Sequence, residues 1–140
     1  MKKLLLLFTT LLLIISCSPS EDNTIPFHIE FLQVKDVEAP QSVKPGYEYD
    51  VQIFYQKPTS CHQFEGFYYD EEGPEHTIAL QMMVLEAGHC QPAEQELEEV
   101  KFRFKCKNDY PYDHYKFKFY NGEDEDGNQS FYELHVPVLQ

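Results

Sequence analysis

Residues 25–140 predict an all-β domain, an antiparallel β-sandwich of about seven short strands. Three observations carry this. Apolar and polar residues alternate with a period of two in run after run, the pattern of strands with one buried face. No stretch of useful length keeps a helical period. Pro, Gly and acidic clusters break the runs at short intervals, as turns do. Aromatic residues make up 15% of the chain, all Phe and Tyr with no Trp, enough to fill a core of this size. Each Tyr brings a hydroxyl, which places several of them at the core margin.

The strands follow in order. Ile25, Phe27, Ile29 and Phe31 alternate with Pro26, His28 and Glu30. Tyr47, Tyr49, Val51, Ile53 and Tyr55 alternate with Glu48, Asp50 and Gln52. A short aromatic strand covers Phe64 to Tyr69, and Ile78, Leu80, Met82 and Val84 form the fourth. Val100, Phe102, Phe104 and Cys106 alternate with Lys101, Arg103 and Lys105. Tyr115, Phe117 and Phe119 alternate with Lys116 and Lys118, and Tyr132, Leu134, Val136 and Val138 close the chain.

Between the first two runs lies Ala39-Pro40-Gln41-Ser42-Val43-Lys44-Pro45-Gly46-Tyr47. It resembles the break in many bacterial immunoglobulin-like domains, where a Pro interrupts the edge strand and a Gly turns the chain into the second. Proline suits an edge because it cannot donate to a ladder. The resemblance implies a fold class and no activity. In immunoglobulin order the second and fifth strands are neighbours and the sixth and seventh form a hairpin. Glu48 and Asp50 then lie near Lys101, Arg103 and Lys105, and Glu133 and His135 near Lys116 and Lys118. Opposite charges on one sheet face support strand pairing. The basic stripe is therefore read as a pairing device, with an anion-binding face as the alternative.

Four cysteines are present. If strands run alternately up and down, Cys61 and Cys90 fall at one pole, while Cys106 ends a strand running away from it and points inward. A Cys61–Cys90 disulfide is expected, with Cys106 a buried thiol. The alternative at that pole is zinc held by Cys61, His62, His89 and Cys90, although the spaced ligand pattern of structural zinc sites is absent. In the hairpin Asn121–Gln129, Asp124, Asp126 and Asn128 have the alternate spacing that opens a calcium loop. Gln129 stands where that loop wants Gly, and His135 where it wants Glu. The competing reading is a solvated turn whose Gly and Asn supply positive φ. Glu94-Gln95-Glu96-Leu97-Glu98-Glu99 reads as solvated charge. Tyr68-Tyr69 and Tyr110-Pro111-Tyr112 could form an aromatic platform for sugars, against the commoner role of half-buried strand residues.

The address is the most legible part. Met1-Lys2-Lys3, an apolar run from Leu4 to Ile15, then Ser16 and Cys17 make a secretory signal peptide over residues 1–16. Ile14-Ile15-Ser16-Cys17 resembles the lipobox of bacterial lipoproteins, which implies a diacylglycerol on the Cys17 thiol and cleavage before it. The apolar run is too short to span a bilayer. Residues 17–24 have linker composition, and Ser20-Glu21-Asp22 is similar to the export signal of Bacteroidetes-type outer-membrane lipoproteins, with either leaflet left open. Loss of Lys2 and Lys3 with the signal leaves 9 basic against 24 acidic residues, a formal charge of −15. That argues against nucleic acid and anionic lipid as partners.

No catalytic nucleophile motif, zinc-protease helix or phosphate loop is visible, and no cofactor is implied. The expected protein is a non-catalytic, lipid-anchored envelope module that contacts a protein or glycan. A calcium- or zinc-dependent extracytoplasmic domain is the alternative and a small envelope hydrolase the third.

Overall fold

The computed structural model describes residues 24–94 and 96–139; Cys17 and the signal segment lie outside them. Eight strands form two sheets: β1 Phe27–Leu32, β2 Asp36–Glu38, β3 Glu48–Tyr55, β4 His62–Glu72, β5 Glu75–Leu85, β6 Glu98–Lys105, β7 His114–Glu123 and β8 Gln129–Pro137. No described residue is helical. The predicted sandwich is the observed architecture. The strand beyond seven is β2, whose three residues are too few to show a period.

The smaller sheet has the order β2-β3-β6, so the second and fifth predicted strands are neighbours. The larger holds β1, β4, β5, β7 and β8, with β7 and β8 as the expected hairpin. One pair is parallel: Glu75–Ile78 of β5 beside Lys116–Phe119 of β7. Strand direction explains it, because β5 and β7 are two apart in an up-down order and so run the same way. Where β7 leaves β5, β1 enters and pairs with the other half of β5, Leu32 opposite Leu80 and Phe27 opposite Leu85. The chain then changes sheets over two residues. The Val34 amide donates to the Tyr120 carbonyl in the large sheet (3.1 Å), and the Lys35 amide to the Phe54 carbonyl in the small one (2.8 Å).

The Pro- and Gly-containing break works as expected. Val43 is buried and bridges Val138 in parallel, and Gly46 turns the chain at φ 86°. A Cβ there would meet Asn108 Oδ1 at 2.7 Å. β4 and β5 are longer than their apolar residues indicate. Asp70, Glu71 and Glu72 continue the ladder opposite Thr77, His76 and Glu75, although acids are poor strand formers in isolation. Gly73 at φ 60° and Pro74 close this hairpin, a two-residue loop that favours Gly at its first position.

Inward residues of both sheets interdigitate. Val51, Ile53 and Tyr55 of β3 and Phe102 and Phe104 of β6 face Ile78, Leu80 and Met82 of β5 and Tyr115, Phe117 and Phe119 of β7. Phe104 meets Phe117 edge-on at 4.9 Å between ring centres. β1 departs from this rule. Phe27, Ile29 and Phe31 are exposed on the outer face, and Leu32 is the buried residue. On the other face of β1, Glu30 accepts a 2.8 Å hydrogen bond from His62 Nε2, whose Nδ1 lies 2.8 Å from Thr59 Oγ1. A polar pair thus closes this end of the core.

Candidate functional site: the cleft between the β4 and β6 edges

Among the described residues β4 pairs only with β5, and β6 only with β3, so each is an edge of its sheet there. On this side the sandwich opens into a cleft of about 410 Å³ lined by Phe67, Tyr69, Glu71, His76, Phe102, Arg103, Phe104, Lys105, Lys107 and Tyr115. The floor is aromatic: Phe67 meets Phe102 edge-on at 5.3 Å, and Tyr69 lies 5.6 Å from Phe102.

His76 is buried beneath it. Its Nδ1 is 2.5 Å from the Tyr69 hydroxyl and its Nε2 3.4 Å from the Tyr110 hydroxyl. Tyr110 donates its own proton to the His114 carbonyl at 3.3 Å, so it can only accept from His76. The Tyr69 hydroxyl has one proton and lies 2.5 Å from Nδ1 and 3.3 Å from Glu71 Oε2; when it donates to the nearer Nδ1, Nε2 carries the imidazole proton. Burial holds His76 below the usual imidazole value, with Glu71 opposing and Lys107 adding to the shift. Burial likewise pushes the Tyr110 phenol up to about 12, and the Tyr69 phenol up as well, with Glu71 beside it adding to the rise. At neutral pH all three groups are uncharged. They form a hydrogen-bonded line rather than an acid–base pair poised near 7.

Charge sits at the rim. Lys107 donates to Glu71 Oε1 and holds the Glu71 carboxyl below its ordinary range, while Tyr69 also reaches Glu71 Oε2 at 3.3 Å. Such a cleft offers one small ligand a floor of edge-on and tilted aromatic rings beneath the Tyr69 hydroxyl and the Glu71–Lys107 ion pair. Tyr69 was a candidate on sequence grounds, but His76, Glu71 and Lys107 were not joined to it. The signal for His76 was parity: it shares a strand face with Ile78, Leu80 and Met82.

The other candidates are placed as follows. Tyr68 and Tyr69 point to opposite faces of β4, as neighbours in a strand must, and form no joint platform; Tyr68 lies 5.7 Å from Phe31 on the outer face. Tyr110 is stacked on Tyr115 at 4.0 Å with the rings nearly parallel. Tyr112 stands edge-on to Tyr110 and lines a second cavity of about 340 Å³ with Pro45, Asn108 and Asp113.

Cys61 and Cys90 are joined in a disulfide with Cα atoms 5.4 Å apart, and Cys106 is a buried free thiol. The bridge removes both thiolates from the tetrahedral set considered at that pole, and among the described residues no cluster of three or more His, Cys, Asp or Glu is arranged to hold a metal. In the acidic hairpin, Asp124 Oδ1 accepts from the Asp126 amide (2.9 Å) and the Asn128 amide (2.8 Å), and Asn128 Nδ2 lies 3.1 Å from Oδ2. These donors hold the Asp124 carboxyl below its usual range, the Asn128 amide most of all. Asp126 and Asn128 therefore turn N–H groups toward Asp124, where a calcium loop would converge oxygens.

The cross-strand charges meet as the immunoglobulin order implied. Arg103 donates to both Asp50 oxygens at 2.7 and 3.2 Å. Lys116 reaches Glu133 at 3.4 Å. Glu75, not anticipated, binds both Lys116 (2.9 Å) and Lys118 (3.3 Å), a consequence of the parallel β5–β7 pair. Glu98, from the acidic stretch, opens β6 and accepts from Tyr55 (3.0 Å) and Lys57 (2.8 Å). No protein-family model, no curated protein and no solved structure matches this chain, so its residues alone carry the functional reading.

Proposed function

We propose that this protein is a lipid-anchored, non-catalytic binding module of the bacterial cell envelope whose ligand site is the β4–β6 cleft. The anchor reading rests on Ile14-Ile15-Ser16-Cys17. The binding reading rests on one observation: an aromatic floor of Phe67, Phe102 and Phe104 beneath a polar rim of Tyr69, Glu71 and Lys107. A sugar ring has matching chemistry, an apolar face to stack and hydroxyls for a carboxylate and an ammonium. The neutral Tyr69–His76–Tyr110 line supports the cleft as a fixed, hydrogen-bonded wall.

Two experiments test the two parts. Radiolabelled palmitate should enter the wild-type chain and be lost in Cys17→Ser; label retained in that variant removes the anchor. For the cleft, isothermal titration with envelope oligosaccharides, peptidoglycan fragments among them, should give saturable binding that Tyr69→Ala weakens at least tenfold. Binding unaffected by both Tyr69→Ala and Glu71→Gln would place the site elsewhere. Saturation by an extended envelope peptide and by no saccharide would make the ligand a protein.

A further inference from the structure

Strand alternation normally hides the apolar set of residues. On β1 it displays them. Ile25, Phe27, Ile29 and Phe31 lie on the outer face, while Glu30 points to the core side and meets His62. Exposure is 43% at Phe31 and 57% at Phe27, rising toward the start of the strand. The patch continues sideways: Phe31 lies 5.7 Å from Tyr68 and 6.1 Å from Tyr120. A contiguous exposed apolar face on a small domain marks something that covers it.

We propose that this face docks the domain onto the bilayer that holds its lipid. The inference rests on the anchor reading above. The position of the patch selects the occupant. Only Ser18 to Thr24 separate Cys17 from Ile25, and seven residues span at most about 25 Å even when fully extended. β1 is the first element after that tether, so the start of its apolar face is held within that reach of the lipid. The chemistry agrees. Phe and Ile suit the acyl boundary, and Tyr68 and Tyr120 join an apolar ring to a hydroxyl, the combination enriched at membrane interfaces.

Charge narrows the surface further. Lys118 lies over Phe131 beside the patch, but Glu75 holds it at 3.3 Å. With a formal charge of −15 on the mature chain, the docked surface is a neutral, zwitterionic one, and anionic lipid should weaken the contact.

The chain contains no Trp, so one introduced Trp is a unique reporter. The mature chain from Cys17 is coupled through that thiol to maleimide-headgroup lipid in phosphatidylcholine vesicles. Cys61 and Cys90 are bridged and Cys106 is buried, which leaves Cys17 as the reactive thiol. Phe27→Trp places the reporter in the patch, and Lys101→Trp places one on the outer face of the other sheet. With brominated phosphatidylcholine, quenching of the Phe27→Trp reporter should exceed that of the Lys101→Trp reporter severalfold. Adding Ile29→Ser and Phe31→Ser should abolish the excess while the melting temperature confirms the fold. Equal quenching at the two positions overturns docking and leaves the lipid reading intact. A concentration-dependent dimer in sedimentation, with the Phe27→Trp reporter protected from aqueous iodide before any vesicle is added, overturns it in favour of a second copy. Failure of cells to lipidate Cys17 overturns the anchor reading and the docking with it.

Discussion

The two sheets present unlike outer faces. On the three-stranded sheet, charges stand opposite charges along β3 and β6: Glu48 across from Lys105 and Asp50 across from Arg103. On the five-stranded sheet, Glu75, Lys116, Lys118 and Glu133 form a similar cluster beside β7 and β8, but β1 presents Phe27, Ile29 and Phe31 to solvent. Both faces come from the same period-two pattern. The period separates the two sides of a strand; it does not say which side is the core. Neighbours decide that. β3 and β6 pack their inner faces against Phe117 and Phe119, whereas β1 enters where β5 and β7 part and turns Glu30 to its inner side, against His62.

The largest contrast is between interior and exterior at one strand. Phe117 is fully buried and joins the sheets through Phe104, so Phe117→Ala should cost about 3–5 kcal/mol in urea unfolding. A loss near that of an exposed aromatic would mean the sheets are not packed through β7. Next comes the disulfide. Its 29-residue separation corresponds to about 3.5 kcal/mol on the chain-entropy model. Cys61→Ser with Cys90→Ser should lower the urea midpoint accordingly. Peptide mapping that links Cys106 to either partner would refute the strand order as well as the bridge.

Acid comes third. His76 is harder to protonate in the fold than in the unfolded chain, whose imidazole titrates near 6.5. Between those two values the unfolded state binds more protons, so stability is complete above about pH 6.5 and falls as pH drops through the folded value. His76→Gln should remove that part of the pH dependence between pH 7.5 and 5. An unchanged slope would show that the imidazole is not desolvated in the cleft. The smallest effect belongs to the charge ladder. Arg103→Glu sets like charges opposite each other at Asp50 and should lower the melting temperature slightly, by less as salt is added. A salt-independent loss would point to packing rather than charge.

Much of this architecture was legible in particular residues. The immunoglobulin order implied the β3–β6 pair, and Glu48 and Asp50 against Arg103 and Lys105 supported it, because complementary charge on one sheet face favours pairing. Cys61 and Cys90 were paired by chain direction together with the inward alternation of Cys106. What stayed hidden depends on contacts that no local pattern encodes. Asp70–Glu72 are strand only because Glu75–Thr77 pair with them. Glu75 clamps two lysines only because β5 and β7 run parallel. The cleft arises because β4 and β6 are both edges, a property of the sheet order and of no single segment. His76 was within reach, since its parity matched Ile78, but an imidazole on an apolar face gives no sign of Tyr69 and Tyr110 waiting there.

One substitution made in two places tests the contrast most directly. Ile29 and Ile53 are both strand isoleucines in alternating runs, but Ile29 is 46% exposed and Ile53 fully buried. Equilibrium urea unfolding of Ile53→Ala should show a loss of about 2–5 kcal/mol, and Ile29→Ala a loss of less than about 1 kcal/mol. Equal losses at the two positions would mean that the apolar side of β1 faces the core after all, and the outer face described here would not exist.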